Sequence, residues 1–134
     1  MTTTHKLAFG LIVATLVVSG YRASAHHSFA ATYIESAEIT IEGDLVQFLY
    51  RNPHSFVHVI GYDTSDTTKA QHRYSAEWGG GSRLNQEGVT RDTLRPGDHV
   101  IITGSPGRNP ADHRLRMASI HRPRDGWKWA GVVD

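Results

Sequence analysis

The sequence predicts a small all-β domain, a five-stranded OB-like barrel with one short helix, within a chain of 134 residues. Three observations support this fold. Five segments show the alternation of apolar and polar residues that is typical of strands, turn clusters rich in Gly, Pro, Asp and Thr separate them, and one stretch has a helical pattern. An OB-type barrel has five strands, whereas a β-sandwich, the alternative fold, usually has about seven.

The first predicted strand is long and changes its register. In residues 38–50 the alternation starts with Ile39 and Ile41 on one face. It shifts by one position before Phe48, and Gly43 lies at the shift, which predicts a β-bulge or a sharp bend. A bend of this kind would let the strand pair with a neighbour on each side, as a closed barrel requires.

Four further strands are predicted from the same alternation. They cover residues 55–62, 70–78, 100–104 and 113–122. In the last of these strands, Leu115, Met117 and Ser119 fall on one face. Turn clusters stand between the strands, so we expect each strand to pair with its neighbours through short connections.

A run of three glycines interrupts the β pattern after the third strand. It leads into one or two helical turns, which begin near Ser82 and stop at Gly88. The segment lacks the lysine and hydroxyl of a phosphate-binding loop, so nucleotide binding is disfavoured. Residues 125–134 are predicted to form a turn and a short tail, in which Trp127 and Trp129 share a face if the tail is extended.

The N-terminus has the features of a cleaved export signal. Lys6 precedes the uncharged residues 7–20, which are too few to span a bilayer because a membrane helix needs about 20 residues. The small-residue sequence Ala23-Ser24-Ala25 follows, a pattern that signal peptidase accepts. A short membrane anchor or a buried helix is the alternative. The chain then divides into a signal peptide, an N-terminal arm and a single domain, at residues 1–25, 26–37 and 38–134.

Cleavage after Ala25 would make His26 the first residue of a periplasmic or secreted protein, without stable insertion in the membrane. The chain has no cysteine, which excludes disulfides and thiolate metal sites. Of its fourteen Lys and Arg, Lys6 and Arg22 lie before the cleavage point, which leaves twelve against thirteen Asp and Glu. Nucleic acid is therefore disfavoured as a partner, because no basic field would attract it.

Several short motifs occur in one order along the chain: "AHHSF", "NPH", "AEW", "GVTRDTLRPGD" and "VIITGSPGR". In this respect the chain resembles a family of small exported bacterial proteins of unknown function, over about residues 26–126. The family usually has tryptophan at the positions of Tyr50 and Val89, and both departures look like core substitutions. The resemblance implies export and a small β-rich domain, and it brings no established activity, substrate or catalytic residue.

Histidine is the unusual chemical resource of this chain, because eight of the nine histidines lie after residue 25. Once the signal peptide is removed, the α-amine and the imidazole of His26 can chelate one metal ion, and a further imidazole would complete a histidine brace. Before cleavage that nitrogen is an amide, so processing would create the site. His27 offers a second imidazole, although both histidines also suit a flexible polar arm.

His54 is the third candidate ligand, because Pro53 and the strand that follows hold it in place. Glu77 is a candidate acceptor for an imidazole N–H, or a carboxylate ligand; an ordinary exposed glutamate is the alternative. His58 lies about 13 Å further along the strand at 3.3 Å per residue, too far for a shared metal. Imidazole and amine ligands favour Cu(II), and Zn(II) is the alternative metal.

A second hypothesis needs no metal. In it the chain is a non-catalytic OB-like domain that binds an envelope protein or a small ligand, with Tyr50 and Trp78 on the binding face. Core packing is the more common role of such aromatic residues. An enzyme is disfavoured, since no nucleophile motif such as G-x-S-x-G occurs and nothing in the sequence pairs two carboxylates.

Overall fold

The computed structural model describes residues 29–133, so the predicted signal peptide, His26 and His27 lie outside the described residues. The described residues belong to two units, which divide between Thr32 and Tyr33. In the first unit, residues 29–32 are helical. The second unit contains all the strands described below. Within residues 29–133, none of the helices has the length and apolar character that a membrane crossing needs.

The second unit is mostly β structure, as the sequence predicts, and it contains one more strand than expected. The strands are β1 (Ile39–Leu49), β2 (Ser55–Asp63), β3 (His72–Trp78), β4 (His99–Pro106), β5 (Arg114–Arg122) and β6 (Trp127–Ala130). The helical elements are α1 (Gly81–Gln86) and a 3₁₀ turn (Pro110–Asp112). The predicted tail is thus partly a strand, and Trp127 and Trp129 do share its half-buried face.

Strands β1 to β5 close into a barrel. β1 pairs antiparallel with β2 on one side and with β4 on the other. β2 pairs with β3 and β4 with β5, both antiparallel, and a parallel pairing of β3 with β5 completes the closure. The prediction of a five-stranded OB-like barrel is therefore confirmed. β6 pairs with β5 alone and lies outside the barrel.

Of the two irregularities predicted at Gly43, a β-bulge or a sharp bend, the bulge lies elsewhere, because the extra residue of β1 is Val46. Leu45 pairs with Val59, and Gln47 pairs with the preceding residue of β2, so Val46 has no partner on that strand. Gly43 has a different role, which is to allow a close approach of β1 to β2. A Cβ atom at this position would lie 2.6 Å from the Cα of Gly61, so the strands approach each other as closely as only glycine permits.

A second irregularity corrects the predicted face of β5. Leu115 and Met117 point into the core as expected, but Ser119 is only half-buried. The register between β4 and β5 skips Ala118, so the alternation shifts by one position. Ile120 therefore occupies the core position that was predicted for Ser119, and it is fully buried.

The two ends of the barrel differ in what lies across them. At the end where β1 and β3 finish, Leu84 of α1 is buried, and the hydroxyl of Tyr50 donates a hydrogen bond of 2.6 Å to the carbonyl oxygen of Gly81. The helix ends before Gly88, whose φ of +82° is typical of a helix terminus. At the opposite end, where β1 and β3 begin, a hollow opens, and the 3₁₀ turn contributes Pro110 to its lining.

Candidate functional site

The turn before β2 is held against the start of α1 by a set of hydrogen bonds. Asn52 accepts from the Ser82 amide at 3.1 Å and donates to the Ser82 hydroxyl at 3.0 Å. The Gly81 amide donates to the Arg51 carbonyl oxygen at 2.9 Å. On the other side of the turn, the buried hydroxyl of Ser55 donates to the same carbonyl oxygen at 3.1 Å. The "NPH" segment is thus fixed at both ends.

The glycine run after β3 makes this close approach feasible. A Cβ atom at Gly80 would lie 2.9 Å from the side-chain oxygen of Asn52, and closer still to the carbonyl oxygen of Pro53. Any larger residue would push the turn away from α1. The glycine run therefore has a packing role between the turn and α1.

His54 leaves this turn and meets Glu77 of β3. Nδ1 of His54 is buried and lies 2.7 Å from Oε1 of Glu77, and the two side chains are 24% and 12% exposed. At this distance the imidazole and the carboxylate are in direct electrostatic contact. The register of the sheet explains the meeting, because Phe56 of β2 pairs with Glu77.

The second oxygen of Glu77 is held by residues that the sequence had not indicated. The hydroxyl of Tyr33, a fully buried residue, donates to Oε2 of Glu77. Arg114 lies 3.5 Å from the same oxygen and donates to the Tyr33 hydroxyl at 3.3 Å. His54, Glu77, Tyr33 and Arg114 together are called the Glu77 network below.

The Glu77 network defines the protonation state of Tyr33. Burial raises the pKa of Tyr33 well above its ordinary value, and the hydrogen bond and charge of Glu77 raise it further. The phenol therefore stays protonated at any physiological pH and acts as a donor. Glu77 in turn remains fixed between two groups, so its Oε1 faces His54 in a defined position.

A carboxylate beside Nδ1 also selects a tautomer of His54. A proton on Nδ1 is attracted by Glu77, whereas a lone pair there would be repelled. The other ring nitrogen, Nε2, then carries the lone pair that can coordinate a metal. Metal-binding histidines in proteins commonly have this arrangement, in which a carboxylate orients the ring through the nitrogen that does not bind.

The other residues singled out from the sequence are placed as follows. His26 and His27 lie outside the described residues, and within residues 29–133 no three His, Asp or Glu side chains are arranged to hold a metal ion. Trp78 is 0% exposed and packs against Phe48, so it does not contribute to an open binding face. Tyr50 is half-buried beside α1, and its hydroxyl is used by that contact.

His58 lies apart from the Glu77 network. Its side chain is on the outer face of β2 and stacks on Phe56, with ring centroids 6.4 Å apart. Burial lowers the pKa of His58, and the charges of Arg73 and Arg51 lower it further. His58 therefore tends to stay neutral, and it has a structural role beside Phe56.

His99 was assigned no role from the sequence, and the structure places it between two carboxylates. Its Nδ1 lies 2.8 Å from Asp44 and its Nε2 lies 3.0 Å from Glu42. The hydrogen bonds to Asp44 and then Glu42 raise the pKa of His99. Because both nitrogens are engaged, His99 is a surface ion-pair residue and is not available as a metal ligand.

This arrangement gives a pH-dependent contribution to stability. The folded-state pKa of His99 is raised, so its stabilisation is fully present below the ordinary imidazole value of about 6.5 and is lost as pH rises through the folded-state pKa. Because the side chain is 48% exposed, we expect His99→Gln to lower the free energy of unfolding by at most about 1 kcal/mol at pH 6. The loss should be close to zero at pH 9.

Urea unfolding at both pH values would measure this effect. His121→Gln is the matched control, since His121 is an exposed residue of β5. An equal loss at pH 6 and pH 9 would mean that His99 acts by packing rather than by charge.

Taken together, fold and site define a small OB-like barrel domain with a partly buried histidine–carboxylate–tyrosine network. A family model described as "Family of unknown function (DUF6152)" matches residues 13–116. The chain belongs to this family, which confirms the resemblance to a family of unknown function. Neither the curated proteins nor the solved structures contain a match to the chain.

Proposed function

We propose that this chain is an exported metal-binding module that takes Cu(II) in the periplasm or outside the cell. Its ligands would be the α-amine and imidazole of His26 together with the imidazoles of His27 and His54. Glu77 would orient His54 without binding the metal. In this proposal the module holds or delivers the ion, and it does not catalyse a reaction.

The observation that carries the proposal is the contact between His54 and Glu77. A partly buried histidine whose Nδ1 lies 2.7 Å from a fixed carboxylate has its Nε2 prepared for coordination. Tyr33 holds that carboxylate from the other side. Together these contacts hold the His54 ring in a defined orientation, which a metal ligand requires.

The position of Tyr33 in the chain links the network to the predicted arm. Tyr33 touches the same carboxylate as His54, and it follows His26 by only seven residues. An extended chain of that length spans at most about 25 Å. The proposal therefore requires the metal to lie within that distance of Tyr33.

The set of available donors favours Cu(II). The chain has no thiolate, and Met117, the only thioether after residue 25, is buried in the barrel core. A soft Cu(I) carrier is therefore disfavoured, whereas amine and imidazole nitrogens suit Cu(II). Zn(II) accepts the same nitrogen donors and is the alternative metal.

We expect His54→Ala to weaken Cu(II) binding by the processed chain at least about tenfold, since even residues that only orient a ligand contribute about 10–100-fold to metal affinity. The measurement is an isothermal titration at pH 7.5 in a buffer with a known copper affinity. His121→Ala is the control, because His121 is exposed on β5 and takes no part in the network. Its affinity should equal that of the parent protein.

Glu77→Gln sharpens the test, since it keeps the size of the side chain and removes its charge. It should weaken binding less than His54→Ala does, while both variants keep the β-rich circular dichroism of the parent. Unchanged affinity in both variants would contradict the proposal. The domain that binds an envelope protein or small ligand would then be the better hypothesis.

A further inference from the structure

The hollow at the end of the barrel where β1 and β3 begin is remote from α1 and has the size of a ligand site. It encloses about 350 Å³, within the range of pockets that bind small molecules. Its apolar part comes from two segments. One is the chain before and within β1 (Ile34 and Ile39), and the other runs from the end of β4 (Pro106) to the 3₁₀ turn (Pro110). All these residues belong to the Tyr33–Asp134 unit.

Aromatic rings form a second wall of the hollow. His72 and His113 stack with ring centroids 4.1 Å apart and nearly parallel planes. Tyr74 meets His113 edge-on at 5.3 Å and is 7% exposed. His113 is held in the left-handed region, with φ of 44°, and this conformation places its ring over His72.

The charged groups at the rim are predominantly negative. Asp63 and Asp66 both line the hollow, and both are close enough to Tyr74 to raise its pKa, after the larger effect of burial. Arg114 is the lining cation, but its guanidinium is paired with Glu77 and lies over the ring of Tyr33. Lys69, in the turn between β2 and β3, is placed over Tyr62.

We infer that this hollow binds an organic cation with an apolar body, such as an aryl- or alkylammonium group. The apolar wall would take the body of the ligand, and the rings of Tyr74 and the two histidines would face its charge. Asp63 and Asp66 would supply the opposite charge at the rim. A bare metal ion is disfavoured, because the described residues include no group of three His, Asp or Glu donors in a suitable arrangement.

A titration followed by ¹H–¹⁵N correlation spectra tests the inference. The probes are benzylammonium, benzyl alcohol and phenylacetate, at pH 8 with EDTA present, so that copper binding plays no part. Benzylammonium should give saturable shifts confined to the residues of the hollow. Benzyl alcohol should bind about fivefold more weakly, the usual size of an exposed ion pair, and phenylacetate more weakly still.

The double variant Asp63→Asn/Asp66→Asn should remove the preference for benzylammonium over benzyl alcohol. The single oxygen of asparagine can still accept the turn hydrogen bonds from the Ser65 and Thr68 amides, while the bond from the Ala70 amide to the second oxygen of Asp66 is lost. The circular dichroism spectrum of the double variant should match that of the parent, because these bonds lie in an exposed turn. Asp92→Asn, an exposed change outside the hollow, is the matched control. Equal binding of all three probes, or an equal loss in the Asp92 variant, would overturn the inference.

Discussion

A processed chain that retains Ala23, Ser24 and Ala25 is expected to bind Cu(II) at least about tenfold more weakly than the chain that begins at His26. The added residues convert the His26 α-amine into an amide, which does not bind copper as an amine does. Every histidine side chain stays in place. The comparison therefore separates the contribution of processing from that of histidine content.

The length of this extension matters for the interpretation. One or two added residues would leave a histidine at the third position, where the terminal amine, the intervening amide nitrogens and the imidazole form a strong Cu(II) chelate of their own. Three native residues place both histidines beyond that position. The chain with Ala25 alone is the informative control, because it should bind copper tightly but no longer depend on His54.

Thermal denaturation adds an independent measure of the same prediction. Copper that bridges the arm and the barrel binds the folded state preferentially, so it should raise the melting temperature of the chain that begins at His26. A flexible arm acting alone would bind the unfolded chain equally well and leave the melting temperature unchanged. Equal affinities for the processed and the three-residue-extended chains would contradict the proposed site.

Gly43→Ala is expected to destabilise the barrel by about 3 kcal/mol or more, a large share of the 5–15 kcal/mol that holds a typical domain together. The new methyl group would meet backbone atoms of β2, 2.6 Å from the Cα of Gly61, and backbone cannot move aside as a side chain can. The close approach of β1 to β2 at the Gly43–Gly61 pair would be lost. The pairing of β1 with β4 would also be weakened, because Gly43 pairs with Val100.

Gly79→Ala provides the matched control for this variant. A Cβ atom at Gly79 would lie 3.6 Å from the Leu84 side chain, which is an ordinary van der Waals contact. Its free energy of unfolding should change by less than about 1 kcal/mol, as measured by urea unfolding followed by tryptophan fluorescence. Similar losses of unfolding free energy in both variants would show that the close approach of Gly43 to Gly61 does not limit the stability of the barrel.

The strands of the barrel could be predicted because each has a local pattern of alternation. β6 was missed for a physical reason: its four residues are held by pairing with β5, and a segment of that length carries little signal of its own. The position of the bulge was also beyond the sequence. The change of register in β1 is visible, but both Gly43 and Val46 are consistent with it, and only the pairing with β2 decides between them.

The candidate site could be predicted only in part. His54 and Glu77 stand out in the sequence, and the register of β2 and β3 brings them into contact. The role of His54 as a metal ligand and that of Glu77 in orienting it stay predictions, as do the roles of His26 and His27. Tyr33 was missed because a tyrosine in a polar arm has no pattern that indicates burial. The stacking of His72 on His113 depends on the closure of β3 with β5, which no local pattern reveals.

The most direct test is an anomalous-scattering map at the copper edge, from crystals of the chain that begins at His26 grown with one equivalent of Cu(II). We predict a single copper peak within bonding distance of both the His26 α-amine and Nε2 of His54, with Nδ1 still facing Glu77. A peak at any other histidine, or a metal bound by the arm without His54, would contradict the proposed function.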